Sequence, residues 1–289
     1  MTLPPGLLPP RPSEMHKGDA GHVFVIAGSE GLTGAAVLCS MAALRSDAGL
    51  VTLGLPCSLN DAMESTLTEV ITKPLPETKT RSLSTQALPE LIRTIERVDA
   101  VVLGPGLSQD PQTQQLVKQL VPKIARPCVL DADGLNALAD EPAILKRFVA
   151  PAIVTPHPGE MGRLIQLSAA EVQRDRERIA KEFASHYGVI AVLKGHGTIV
   201  AHPDGRLWIN DTGNPGMATA GMGDVLAGMI GALLGQKLPA FDAARLGAHL
   251  HGLAGDLAAS EQGSVGLIAS DLLARIPLAI RRYQERQAS

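Results

Sequence analysis

Short runs of β-branched and apolar residues recur along the chain, and each ends in glycine or proline before a segment of helical periodicity. The runs predict strands at 22–27, 50–55, 100–103, 128–131, 152–155, 189–193 and 198–201. The periodic segments predict helices at 34–45, 111–120, 134–139, 158–164, 169–186 and 224–234. Apolar strands alternating with helices imply an α/β fold, with a mostly parallel central sheet flanked by helices on both faces in three layers. Asp204-Gly205 reads as a hairpin turn, and beyond it the chain is rich in Ala, Gly and Leu and mainly helical. The polar stretch 72–84 carries two prolines and reads as a surface loop. In 171–181, Arg and Glu three to four apart read as a solvated helix face. With no repeat and no linker, 1–289 is expected to be one domain, with a Pro-rich arm at 1–15 that is ordered only if it docks.

Composition narrows the classes of function. The chain has 289 residues, 45% of them hydrophobic, and a formal charge of −3, which suits an ordinary globular protein. That balance gives no footprint for nucleic acid or an anionic membrane. Aromatic residues make up only 2%, too few for a base-stacking platform. Cys39, Cys57 and Cys128 form no CxxC, which argues against a disulfide framework or structural zinc and fits a reducing cytoplasm. The apolar stretch 225–235 is too short to span a bilayer, and the first residues lack the pattern of a signal peptide.

Ligands of open α/β sheets bind beyond the C-terminal strand ends. Five predicted strand ends carry glycine or ionisable residues: Gly28 to Gly34, Gly104 to Gly106, Asp131 to Asn136, Thr155 to Glu160, and Lys194 to Thr198. One rim would collect them. The first loop is spaced GxxGxxG, not GxGxxG, so it reads either as a tight strand-to-helix turn or as room for a flat ligand. Asn214 to Asp224 is the strongest segment. Its small residues bare main-chain N–H groups where a helix begins, which suits an anion. Asp224 in that first turn would repel a phosphate unless it takes up a proton, as a base for an attacking hydroxyl would. No lysine precedes that helix, so this is not a P-loop. Lys194 could neutralise a nucleotide phosphate or simply be solvated, and His157 could bond a substrate or cap a turn. Asp131 and Asp133 could cap a turn or steer a ligand or hydrated cation. His249 and His251, two apart on a helix, face different sides and do not suggest a metal site.

With these residues in view, the chain resembles the ADP-dependent (S)-NAD(P)H-hydrate dehydratase family of the ribokinase-like superfamily. The resemblance runs from about His16 to Pro277 through HKGDAGHVFVIAGSEGLTGAA, GPGL, DADGLNAL, TPHPGE, VLKGHGT and NPGMATAGMGDVLAG. It implies a ribokinase-like fold and dehydration of the hydrates of NADH and NADPH, with ADP as phosphoryl-donating co-substrate and AMP and phosphate as products. It implies that Ala35 or Ala36, Gly106, His157 and Asp224 contact the hydrate, with Asp224 catalytic. It places Lys194, Gly195, His196, Gly197, Thr198 and Gly223 on the adenine nucleotide. The main-chain N–H groups of Ala220, Gly221, Met222 and Gly223 then form the anion hole. Met222 stands where many relatives have Thr, but only its main chain is needed. The resemblance also implies Mg2+, with its ligands unassigned, a homo-oligomer, usually a tetramer, and an epimerase as a separate functional partner. The alternative is an ATP-dependent kinase of the same superfamily, acting on a hydroxyethylthiazole or hydroxymethylpyrimidine. A non-catalytic dinucleotide-binding module would not need the acid beside the anion hole.

Overall fold

The structure, a computed structural model, describes residues 7, 8, 14 and 16–288, so most of the 1–15 arm lies outside the described residues. Nine strands form one sheet: β1 (His22–Ile26), β2 (Leu50–Pro56), β3 (Ile71–Leu75), β4 (Ala100–Leu103), β5 (Cys128–Leu130), β6 (Ala152–Val154), β7 (Ile190–Leu193), β8 (Ile199–Ala201) and β9 (Leu207–Ile209). Their order is β3-β2-β1-β4-β5-β6-β7-β8-β9. All pairs from β3 to β7 are parallel, and β8 and β9 add an antiparallel hairpin.

The helices are α1 (Thr33–Arg45), α2 (Asn60–Thr66), α3 (Leu88–Ile95), α4 (Pro111–Leu120), α5 (Asp133–Asn136) and α6 (Pro158–Ile165), followed by α7 (Ala169–Arg174), α8 (Arg176–Tyr187), α9 (Met222–Gly235), α10 (Ala240–Gln262) and α11 (Ala269–Ala288). Alternation along each strand sends side chains to two cores. Val23 and Val25 of β1 pack with α1, α9, α10 and α11, whereas Phe24 and Ile26 pack with α3, α4, α6 and α8. The three-layer α/β expectation therefore holds.

Helix α9 is buried on nearly every side, which explains its run of small residues. A Cβ at Gly228 would lie 2.1 Å from the Cys39 carbonyl oxygen of α1, and one at Gly247 would lie 2.6 Å from Ile230. Glycine thus lets α1 and α10 close onto α9, and this brings its N-terminus to the sheet rim. Among the described residues no helix is long and apolar enough to cross a membrane.

Two local expectations need correction. The stretch 71–75 is an edge strand, not a loop; it is only partly buried because, among the described residues, no strand pairs beyond it. The helix expected at 169–186 breaks at Asp175 (φ −144°, ψ 53°) into α7 and α8. The short helices α2 and α3 follow strand ends where no expectation was made.

Candidate active site

The strand order reverses between β1 and β4, and there their loops lock together. Gly28 N donates to Pro105 O at 2.9 Å, and Ser29 Oγ donates to Gly106 O at 2.8 Å. Gly106 (φ +63°) is buried, and a Cβ on it would sit 2.7 Å from Leu32 O and 3.0 Å from Ala35 Cβ. Ala36 is 1% exposed, and its methyl fills the space a Cβ on Gly28 would take, at 3.1 Å. A ligand at this corner would therefore meet Ala35, not the Ala36 side chain. Ala35, Ala36 and Gly106 sit together, but they do not line the main cleft.

That cleft, of about 790 Å³, lies over the ends of β5, β6 and β7, beneath the N-terminus of α9. It gathers His157, Lys194 to Thr198 and Ala220 to Asp224, and it adds Asp131, Glu160, Asn210, Thr212 to Pro215, Met217 to Thr219 and His251. Gly221 enters α9 in a left-handed turn (φ +88°). Among the described residues, the N–H groups of Thr219 to Asp224 find no main-chain acceptor. Donors left bare at the positive end of a helix dipole favour an anion. Met222 is 5% exposed, its side chain in the core. Its carbonyl accepts from His251 Nε2 at 2.9 Å. Burial holds the His251 pKa down to about 4, so this neutral ring keeps its Nε2 proton for that bond.

The charged centre was only partly anticipated. Asp131, 1% exposed at the end of β5, accepts from Thr155 Oγ1 at 2.7 Å and from Lys194 Nζ at 2.8 Å, both on Oδ1. Glu160 Oε2 lies 3.5 Å from the same ammonium. Gly223 leaves room for this lysine, since a Cβ there would be 3.2 Å from Nζ. Burial disfavours the Lys194 charge, but Asp131, Glu160 and Asp224 outweigh it and raise its pKa. Burial lifts the Asp224 carboxyl to about 7; Asp131 pushes it the same way, Lys194 opposes, and Glu160 and Asp133 add to the rise. A carboxyl near neutrality beside bare donors is suited to proton transfer at physiological pH.

His157 does more than one thing. It caps α6 in a reciprocal box, with Nδ1 accepting from Gly159 N at 3.0 Å and Glu160 N at 3.3 Å. Glu160 Oε2 in turn accepts from His157 N at 2.7 Å. Accepting at Nδ1 puts the ring proton on Nε2, and the half-exposed ring lines the cleft. Burial lowers its pKa, with Lys194 and Arg163 helping, which keeps the ring neutral. Asp133 starts α5 and accepts from Ser108 N at 2.9 Å, so its role is in the turn. Arg176, expected on a solvated face, points inward: it donates from Nη2 to Leu193 O at 2.9 Å and from Nη1 to His196 O at 2.5 Å. It thereby props the 194–198 loop, and no sequence signal distinguishes it from its neighbouring arginines.

Comparison with known proteins shows the family and the fold. A family model described as NAD(P)H-hydrate dehydratase matches residues 23–278. The chain is 48% identical over 278 residues to the "Bifunctional NAD(P)H-hydrate repair enzyme Nnr" of Moorella thermoacetica, covering 96% of this chain and 52% of that protein. It thus spans about half the length of such bifunctional relatives. It is 37% identical over 272 residues to the "ADP-dependent (S)-NAD(P)H-hydrate dehydratase" of Neisseria meningitidis, covering 93% and 88%. Its structure matches that of the ADP/ATP-dependent NAD(P)H-hydrate dehydratase of Bacillus subtilis co-crystallised with ATP/Mg2+, with a TM-score of 0.80, 31% identity and coverage of 96% and 94%. A hydroxyethylthiazole kinase from Pyrococcus horikoshii, at 16% identity and a TM-score of 0.60, shares the fold alone.

Proposed function

The chain belongs to the NAD(P)H-hydrate dehydratase family, and from that membership we propose that it dehydrates (S)-NADHX and (S)-NADPHX to NADH and NADPH, consuming ADP and releasing AMP and phosphate. The observation that carries this reading is Asp224, lifted towards neutrality in the first turn of a helix whose leading N–H groups are bare.

Asp224 takes the proton from the hydroxyl on the hydrated ring carbon. The freed oxygen attacks the terminal phosphoryl of ADP in line; the new P–O bond forms as the bond to AMP breaks. The N–H groups of Ala220 to Asp224 receive the charge on the phosphoryl oxygens. The ring nitrogen's electron pair then expels phosphate, breaking the C–O bond, and loss of a proton from the neighbouring carbon restores the ring double bond. Hydroxide, a poor leaving group, has been exchanged for phosphate. The 194–198 loop and Gly223 hold the nucleotide; His157, Ala35 and Gly106 face the hydrate.

Magnesium fits this site as a passenger of the nucleotide. Among the described residues no group of three His, Cys, Asp or Glu side chains is arranged to hold a metal, whereas the oxygen ligands of Asp131 and Glu160 face the cleft. Such an ion would be held mainly by phosphates and water, with one of these carboxylates nearby, and would neutralise phosphate charge. The same reading takes the enzyme as a cytoplasmic homo-oligomer, a tetramer, working with an epimerase that interconverts the two hydrates.

The test is direct. Hydrated NADH incubated with the enzyme and ADP should regain the absorbance of the reduced nicotinamide, and AMP and phosphate should appear in equal amounts. No recovery with either ADP or ATP, alongside phosphorylation of a thiazole or pyrimidine alcohol, would establish the kinase alternative.

A further inference from the structure

We infer that Asp256 of α10 is a positioning residue that sets the nucleotide wall of the cleft, acting through Gly213 and Asn214. The inference rests on the reading above that adenine nucleotide occupies this cleft.

One wall of the cleft runs from Asn210, whose N donates to Thr198 O at 2.9 Å, to Met217. It has no strand or long helix to hold it, so its shape has to come from what it is bonded to. One face of α10 supplies that support. Asn210 Nδ2 donates to Ala248 O at 3.2 Å, and Thr212 Oγ1 donates to His249 O at 2.9 Å. Two glycines one turn apart are notches for the segment: a Cβ at Gly252 would sit 2.2 Å from Thr212 Oγ1, and one at Gly255 would sit 2.3 Å from Met217 Sδ. Positions 248, 252, 255 and 256 are spaced as one helical stripe, so the seat is continuous.

Asp256 closes this seat with charge. Its Oδ2 accepts from Gly213 N at 2.9 Å, and its Oδ1 accepts from Asn214 Nδ2 at 3.0 Å. Because a carboxylate only accepts, it dictates which way the Asn214 amide faces. The amide oxygen is thereby turned to Gly216 N, at 3.0 Å, and caps the short 215–217 turn. Two side chains thus fix the main-chain N–H groups of Gly213 and Gly216, on either side of Asn214, and Gly213 and Asn214 line the cleft. Just beyond Met217 the character changes. Ala218, Thr219 and Ala220 are exposed, and the N–H groups of Thr219 and Ala220 have no bonded acceptor among the described residues. The wall has a pinned half and a half left bare for the ligand, and Asp256 is the last anchor before the boundary.

The experiment is a swap. Asp256→Asn puts an amide donor against a donor and should weaken ADP binding by roughly tenfold or more, since a charge-assisted bond is lost. Asn214→Asp alone sets two carboxylates face to face and should do the same. The double variant Asp256→Asn with Asn214→Asp reverses the polarity of the pair. The new amide at 256 can donate to the new carboxylate at 214 and accept from Gly213 N, while that carboxylate still accepts from Gly216 N. It should recover ADP affinity to within about threefold of wild type.

ADP binding is read by titration calorimetry in the absence of hydrate, and KM for ADP, KM for hydrate and kcat are read by nicotinamide absorbance. The expected split is a raised KM for ADP, with kcat at saturating ADP and KM for hydrate within about twofold. Wild-type affinity in Asp256→Asn overturns the inference, as does a double variant no better than the weaker single one. A wild-type chain that binds ADP but shows no ADP-dependent dehydration overturns the reaction and leaves the Asp256 result readable. A wild type that binds no ADP overturns both.

Discussion

Two corners of one sheet rim are built on opposite principles. At the β1–β4 corner, Gly28, Gly106 and Ala35 fit by close contact of main chain and methyl groups, with few ionisable groups. At the β5–β7 corner, Asp131, Glu160, Lys194 and Asp224 crowd together in a half-enclosed cleft, and burial amplifies every charge. The contrast assigns the work. A corner built on main-chain and methyl contacts can shape itself to a ligand but is not equipped to move a proton. A corner with three carboxylates and one ammonium can do chemistry, but it has to be held rigid to do it.

The largest test of this division is Asp224→Asn, which should lower kcat by at least about a thousandfold while ADP still binds. In the wild type the rate should climb with pH through about 7, as the base loses its proton. Stability should move the other way. A carboxyl held at about 7 in the fold keeps a proton that the unfolded chain has already released. The native state then loses stability as pH rises from about 4 to 7. Asp224→Asn removes that penalty, so its Tm at pH 8 should exceed the wild-type value; a lower Tm would show that the carboxylate is instead stabilised there.

Next in size is Lys194→Met. It strips the cation that opposes the rise of Asp224, so the acid limb of the rate profile should shift to higher pH. It also leaves Asp131 and Glu160 without their ammonium, at a cost of about 3 kcal/mol measurable by denaturant unfolding. Gly106→Ala probes the other corner. Its Cβ would press on Leu32 O at 2.7 Å in a left-handed backbone. It should raise KM for the hydrate several-fold, leave KM for ADP unchanged, and cost about 1–3 kcal/mol. An equal effect on both substrates would erase the division between corners.

The smallest effect is expected from Arg81→Ala. Arg81 Nη1 donates to Glu30 Oε1 at 2.8 Å, and Glu30 N donates to Arg81 O at 3.1 Å, so this residue clasps the first glycine loop from the 76–84 excursion. The pair is exposed, at 40% and 57%, which limits its worth to at most about 1 kcal/mol. A two- to threefold rise in KM for the hydrate, with no change for ADP, is the expected reading.

Seven of the nine strands were legible because each is a compact apolar run ending in glycine, proline or a polar cap. Strand β3 was hidden because an edge strand carrying Pro74 and Lys73 need not look buried. The break at Asp175 was hidden too: on either side of it the charged residues keep helical spacing, and only Arg176 turning under the 194–198 loop shows why the helix restarts.

Asp224, Lys194 and His157 could be named from the chain because each ends a recognisable run or opens a helix, and such signals are local. Periodicity and turn chemistry act over a few residues, so they can specify strands, helices and the loops between them. Pairing the lysine after β7 with the aspartate after β5, and seating Asn214 on Asp256 some forty positions away, required the folded sheet and helices. Those contacts depend on strand order and on how closely α10 approaches the loop before α9, which no local pattern encodes.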